Sequence, residues 1–153
     1  MTREEFISEL QSRGATLLPP SNTRALELAQ NALQQMRAAM MPPAMIDIYL
    51  NTAGGMIMGD ANIFGPDEIV RPVRNYEIPG LMQVNREIAG LPPGPRIPGA
   101  RAKTIFGRNQ MFWFAFDAFG EFYMLSILNL DVLREYKADP YRAILDCLAV
   151  GKI

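Results

Sequence analysis

Residues 111–128 read MFWFAFDAFGEFYMLSIL, and the fold is decided there. Phe112, Phe114 and Phe116 alternate with Met111, Trp113 and Ala115, the period-2 pattern of a strand. Both sets are apolar, so this strand is expected to be central, with cover on both faces. Asp117-Ala118-Phe119-Gly120 follows, Asp opening and Gly closing a type I turn that ends in a left-handed residue. Phe122 to Leu128 returns as the partner strand. On so tight a turn Asp117 is expected to accept from the backbone amide two residues on, with Glu121 facing water.

Working outward, Lys103 to Gly107 predicts a strand before the hairpin. Asp139-Pro140 opens a closing helix with Pro at its first position, packed through Tyr141, Ile144, Leu145 and Leu148 and stopped by Gly151. Upstream lie three helices. The first spans Thr2 to Arg13, with Thr2 and Glu5 as a capping box and Gly14 as its stop. The second runs from a cap at Ser21 or Asn22 to about Met40, with Leu26, Ala29, Leu33, Met36 and Met40 at helical spacing. The third runs from Pro43 to Ala53, burying Met45, Ile46, Tyr49 and Leu50. Short apolar runs at Met56–Met58 and Ala61–Phe64 suggest a strand or two, with a brief turn through Glu68-Ile69. Leu81, Val84 and Ile88 predict a short helix over Pro79 to Ala89, and Gly90 to Gly99 is read as a Pro/Gly-rich loop. Helices, then mainly antiparallel strands with one inserted helix, then a closing helix make an α+β domain covering residues 1–153.

Composition narrows the function. Hydrophobic residues are 49% and charged residues 20% of 153, a globular balance. A net charge of −1 leaves no broad footprint for phosphate backbones, so nucleic acid is not expected as a direct partner. The most apolar stretch, Ala38 to Gly59, is broken by Pro42, Pro43, Asp47 and two glycines, so no membrane span is expected. One cysteine and no apolar leader suit a cytoplasmic protein. The chain has no histidine, which removes the commonest general base, zinc ligand and nucleophile partner. Neither an enzyme nor a cofactor or metal is expected.

The remaining chemistry is sparse. Asp60, Asp67 and Glu68 bracket Asn62, but a calcium loop counted from Asp60 fails, with Phe64 at position 5 and Arg71 where a bidentate Glu is required. These three acids read either as a solvated turn or as an acidic rim available to a basic partner. Asp117 and Glu121 could be imagined as paired carboxylates, although turn chemistry accounts for both. Gly54-Gly55 and Gly59 read as a helix stop and a turn. Pro92-Pro93-Gly94-Pro95-Arg96 matches a PxxP ligand pattern but reads better as a linker. Cys147 reads as a buried, inert thiol. Met40 and Met41, beside two prolines, are either core or an adaptable apolar patch.

The serial order of several pieces resembles the SMI1/KNR4 (SUKH) superfamily, and within it the bacterial YrhA-like proteins. They are Ile48-Tyr49-Leu50 before Gly54-Gly55, Ile63-Phe64-Gly65-Pro66-Asp67-Glu68-Ile69, Tyr76-Glu77-Ile78-Pro79-Gly80-Leu81 with Asn85, and Ile105-Phe106-Gly107-Arg108-Asn109. Phe114-Ala115-Phe116-Asp117, Gly120-Glu121-Phe122-Tyr123, Asp139-Pro140-Tyr141 and Cys147-Leu148 complete the series. The resemblance implies N-terminal helices, a bent sheet and a C-terminal helix, with no catalytic residues. It also implies an immunity protein that neutralises a cognate toxin or effector by occluding its active site. The family's binding surface varies with the toxin, so acidity and loop position, not the resemblance, make Asp60, Asp67, Glu68, Asp117 and Glu121 the candidate partner-binding residues. The alternative is a non-catalytic regulatory or scaffold domain. The sequence leaves the oligomeric state open.

Overall fold

In a computed structural model of the chain, residues 1–66, 69–71, 76–78, 80–90 and 103–149 are described. Among them are five helices: α1 (Arg3–Ser12), α2 (Thr23–Gln35), α3 (Pro43–Asn51), α4 (Leu81–Gly90) and α5 (Pro140–Cys147). The strands are β1 (Thr16–Leu17), β2 (Met56–Met58), β3 (Ala61–Ile63), β4 (Ile69–Arg71), β5 (Tyr76–Ile78), β6 (Lys103–Arg108), β7 (Phe112–Asp117), β8 (Phe122–Ser126) and β9 (Val132–Lys137). The α+β class expected from the element order is what the chain adopts.

The main sheet has seven antiparallel strands in the order β1-β2-β3-β6-β7-β8-β9, and β4 pairs only with β5. The aromatic strand β7 is central, as its two-sided apolarity requires. Phe114, Ala115 and Phe116 are fully buried in it. Helix α5 packs across β3, β6, β7, β8 and β9. Gly107 allows that approach, because a Cβ there would stand 2.8 Å from Ile63 Cδ1 and 3.5 Å from Cys147 Sγ.

The expected caps form. Thr2 accepts from the Glu5 amide, Asn22 from Ala25, and Asp139 from Arg142, satisfying amides the first helical turn leaves free. Helix α2 stops at Gln35, short of the expected Met40. Arg37 takes a left-handed backbone (φ 58°) and the Ala38 amide returns to the Leu33 carbonyl, a Schellman stop built without glycine. Met36 is therefore only half-buried and Met40 is exposed. The expected turn at Glu68-Ile69 meets a strand instead, since Ile69 begins β4. Three further strands go unsignalled in the sequence, β1, β5 and the edge strand β9. The Pro/Gly-rich loop and the helix stop at Gly151 lie outside the described residues.

Where β3 departs from β6, a side chain takes over the ladder. The Asn85 carboxamide of α4 accepts from the Ile105 amide and donates to the Ile105 carbonyl, both at 2.8 Å, and also donates to the Leu81 carbonyl at 2.7 Å. At Ile105 the buried strand keeps its hydrogen bonds on the side that β3 has left.

Candidate protein-interaction surface

Two turns at one end of the sheet carry apolar side chains into solvent. In the β6–β7 turn, buried Asn109 accepts from the amides of Met111 (2.9 Å) and Phe112 (2.8 Å) and donates to the Cys147 carbonyl of α5 (3.1 Å). The turn is thereby pinned to the closing helix, and Met111 projects with 60% of its surface exposed. In the β8–β9 turn, the Ser126 hydroxyl accepts from the Leu128 amide and Asn129 from the Asp131 amide, both at 3.1 Å. Leu130 completes this turn with a left-handed backbone (φ 63°), a conformation costing a residue of this kind about 1–2 kcal/mol. Leu128 is held out at 86% exposure, beside exposed Ile127.

Register brings these residues together. Phe112 pairs with Ser126, so Met111 and Ile127 continue side by side beyond the ladder. Next to them runs the cross-strand row Arg108, Trp113, Leu125 and Val132, contributed by β6, β7, β8 and β9. The Arg108 guanidinium stands 6.0 Å from the Trp113 ring centre and 5.9 Å from that of Phe64. It is exposed and forms no ion pair with any described residue. Asp60 joins this corner from the β2–β3 turn, its carboxylate accepting from Gln110 at 2.5 Å.

Asp117 and Glu121 stand at the opposite end of the sheet. The six residues of β7 at about 3.3 Å each separate the two ends by about 20 Å. Asp117 is buried, and one of its oxygens accepts from the amides of Phe119 (2.8 Å) and Glu121 (3.0 Å). The other accepts from the Tyr123 hydroxyl at 2.6 Å. Burial alone would raise its pKa, but the Tyr123 hydroxyl, the two amides and the Lys103 charge together hold it below the ordinary value. Asp117 locks its turn, as its sequence position suggests, and is closed to a partner. Glu121 is exposed as expected, yet also accepts from Tyr123 at 3.0 Å. Tyr123, buried and facing both carboxylates, is pushed above its ordinary pKa.

The described acids therefore do not share one end of the sheet. Asp60 is at one end, Asp117 and Glu121 at the other, and Asp67 and Glu68 lie outside the described residues. Among the described residues no three His, Cys, Asp or Glu side chains gather as a metal site, and no helix is long and apolar enough to cross a membrane. Met111, Trp113, Ile127 and Leu128 were legible only as apolar residues of a hairpin. The signal for exposure was the excess of apolar chain past Ser126, longer than the partner strand can cover.

No family model matches the chain, and no curated protein matches it.

Proposed function

We propose that the chain is a protein-binding domain that presents the Met111, Ile127 and Leu128 corner to its partner. We further propose that the partner is a toxin or effector, which the chain neutralises as an immunity protein in the cytoplasm of the producing cell. The observation that carries the binding reading is Leu128, 86% exposed on a turn fixed by side-chain hydrogen bonds and a strained neighbour. Strain of this kind gathers where a protein meets a ligand, and a turn already rigid loses little entropy on binding. Trp and Arg, found in the adjoining row, and Met, found at the corner, are enriched at protein interfaces. The serial resemblance to the SUKH superfamily supports the immunity role, with steric occlusion of the toxin's active site as mechanism. Because Asp60 stands apart from Asp117 and Glu121 and the corner itself is apolar, apolar burial dominates the affinity and salt dependence is shallow, in contrast to an acidic rim steering a basic groove.

The test is affinity capture from cells that express the chain, with wild type and Leu128→Arg as baits. A stoichiometric partner supports the reading if it is lost with the variant, poisons cells when expressed alone and is tolerated when co-expressed with wild type. A partner captured equally by both baits removes the corner from the interface. A partner harmless on its own removes the immunity role.

A further inference from the structure

The opposite end of the sheet holds an open cleft of about 520 Å³ between the segment after α2 and the β7–β8 turn, a volume within the range of ligand clefts. Its walls are Ala38, Ala39, Met40 and the Pro42-Pro43 pair on one side, with Phe119 and Gly120 on the other. Phe119 is 88% exposed. The backbone that carries this ring is fixed by the buried Asp117 carboxylate, which accepts from the Phe119 amide at 2.8 Å. Proline rings fix the facing wall, so little of the cleft has to be ordered when something enters it.

One lining residue is charged. Arg37 is exposed, stands in the left-handed region (φ 58°), and forms no ion pair with any described residue. Glycine suits the stop of α2 better than arginine does. The position thus carries backbone strain and sets an uncommitted cation at the mouth of an apolar cleft, a combination that directs attention to a ligand. Lys103 at this end is already engaged, its ammonium 4.7 Å above the Tyr123 ring, and does not line the cleft.

We propose that this cleft is a second docking site, separate from the Leu128 corner, and that it takes a short extended peptide segment with an apolar side chain next to a carboxylate. The apolar side chain lies between Phe119 and the Met40–Pro42 wall, and the carboxylate meets Arg37. The charge of the cleft sets the class: an acidic-flanked segment gains an ion pair there, and a lysine-flanked one faces repulsion.

The methionines supply the readout, since Met40 lines the cleft and Met111 marks the other end. Full-length protein with carbon-13 methionine methyl groups is titrated with the blocked tetrapeptide Glu-Leu-Phe-Glu and, separately, with Lys-Leu-Phe-Lys. The Met40 signal is assigned through Met40→Leu. Expected is a saturable shift of Met40 by the acidic peptide with millimolar affinity, Met111 staying still. Arg37→Gly weakens binding about two- to fivefold, the effect of one exposed ion pair. Arg37→Glu moves the preference to the lysine peptide, and Phe119→Ala removes the shift. Both positions are exposed, and the thermal midpoint of each variant confirms folding. A Met40 signal unmoved at the solubility limit, an equal response to both peptides, or an unchanged preference in Arg37→Glu overturns the proposal. If Met111 moves instead, the peptide has gone to the corner, which also overturns it.

Discussion

Asp117 offers the sharpest test of how this fold holds its turns. Replacing it with Ala removes three hydrogen bonds from a buried carboxylate: two from the Phe119 and Glu121 amides and one from the Tyr123 hydroxyl. The 2.6 Å phenol–carboxylate bond is charge-assisted, worth about 1.5–3 kcal/mol, and each amide about 0.5–1 kcal/mol where water can substitute in an exposed turn. Asp117→Ala is therefore expected to cost about 3 kcal/mol. Asp117→Asn keeps the oxygen that serves both amides and lets the Tyr123 hydroxyl turn wholly to Glu121, already 3.0 Å away, so it costs about 1 kcal/mol. The net depression of the Asp117 pKa sets the pH dependence. A carboxylate held below its unfolded value of about 3.9 contributes fully above that value and loses its contribution as pH falls through the lower, folded one. The gap between wild type and Asp117→Asn should be widest at neutral pH, shrink below about pH 4 and close in strong acid. Urea unfolding followed by Trp113, the one tryptophan, measures it. Asp117→Ala within about 0.5 kcal/mol of wild type at pH 7, or a gap unchanged down to pH 2, refutes the reasoning.

Three further outcomes follow from the same geometry. Asn85→Ala strips the buried Ile105 amide and carbonyl of their partner at once and should cost about 3–4 kcal/mol; native-state hydrogen exchange at the Ile105 amide should rise with it, and an unchanged rate would show that the ladder closes without Asn85. Arg37→Gly should stabilise by about 0.5–1 kcal/mol in urea, because relief of about 1–2 kcal/mol of left-handed strain outweighs the greater freedom of a glycine in the unfolded chain; a loss of stability would count against the strain. Cys147 is fully buried and its thiol is pushed well above the ordinary value by burial, so Ellman's reagent should label it only at the rate of unfolding. Complete labelling of the folded protein within minutes would contradict that.

What was legible in the sequence is what local chemistry dictates. The aromatic alternation of residues 111–116, the Asp117–Gly120 turn and the caps at Thr2, Asn22 and Asp139 each involve partners within a few residues. What was not legible depends on distant cover. Strand β9 buries only Tyr136 and is otherwise exposed, so it carries no period-2 signal. Helix α2 ends at an arginine where a glycine would have announced the stop. Asn85 stands out in the sequence only as a polar residue of the short helix, and its work on Ile105 requires knowing that β3 leaves β6. The acids of the candidate site could be named from the sequence but not placed. Antiparallel register puts Asp60 beside Gln110 and Asp117 some six residues away along the strands, and no spacing in the chain encodes that.

The free edge of the sheet bears on how the proposed partner would be met. A bare edge strand invites pairing with another chain, and β9 is such an edge by position. Its register skips at Leu133 and Tyr136, two bulges that interrupt the row of outward amides and carbonyls. Between the bulges stand Arg134 and Glu135. In a two-fold antiparallel pairing the strand's central residue meets its own copy, which sets Arg134 against Arg134 or Glu135 against Glu135, like charges directly opposed. Arg134 is in addition tied back to Asp146 of α5 at 2.7 Å. Backbone pairing is thus disfavoured at the edge that lies next to Leu128, and the side chains of the two turns are what this corner has to offer a partner. An interface made of side chains on rigid turns is tuned residue by residue. A change at Met111, Ile127 or Leu128 can then alter the partner without touching the hydrogen-bonded frame that holds them.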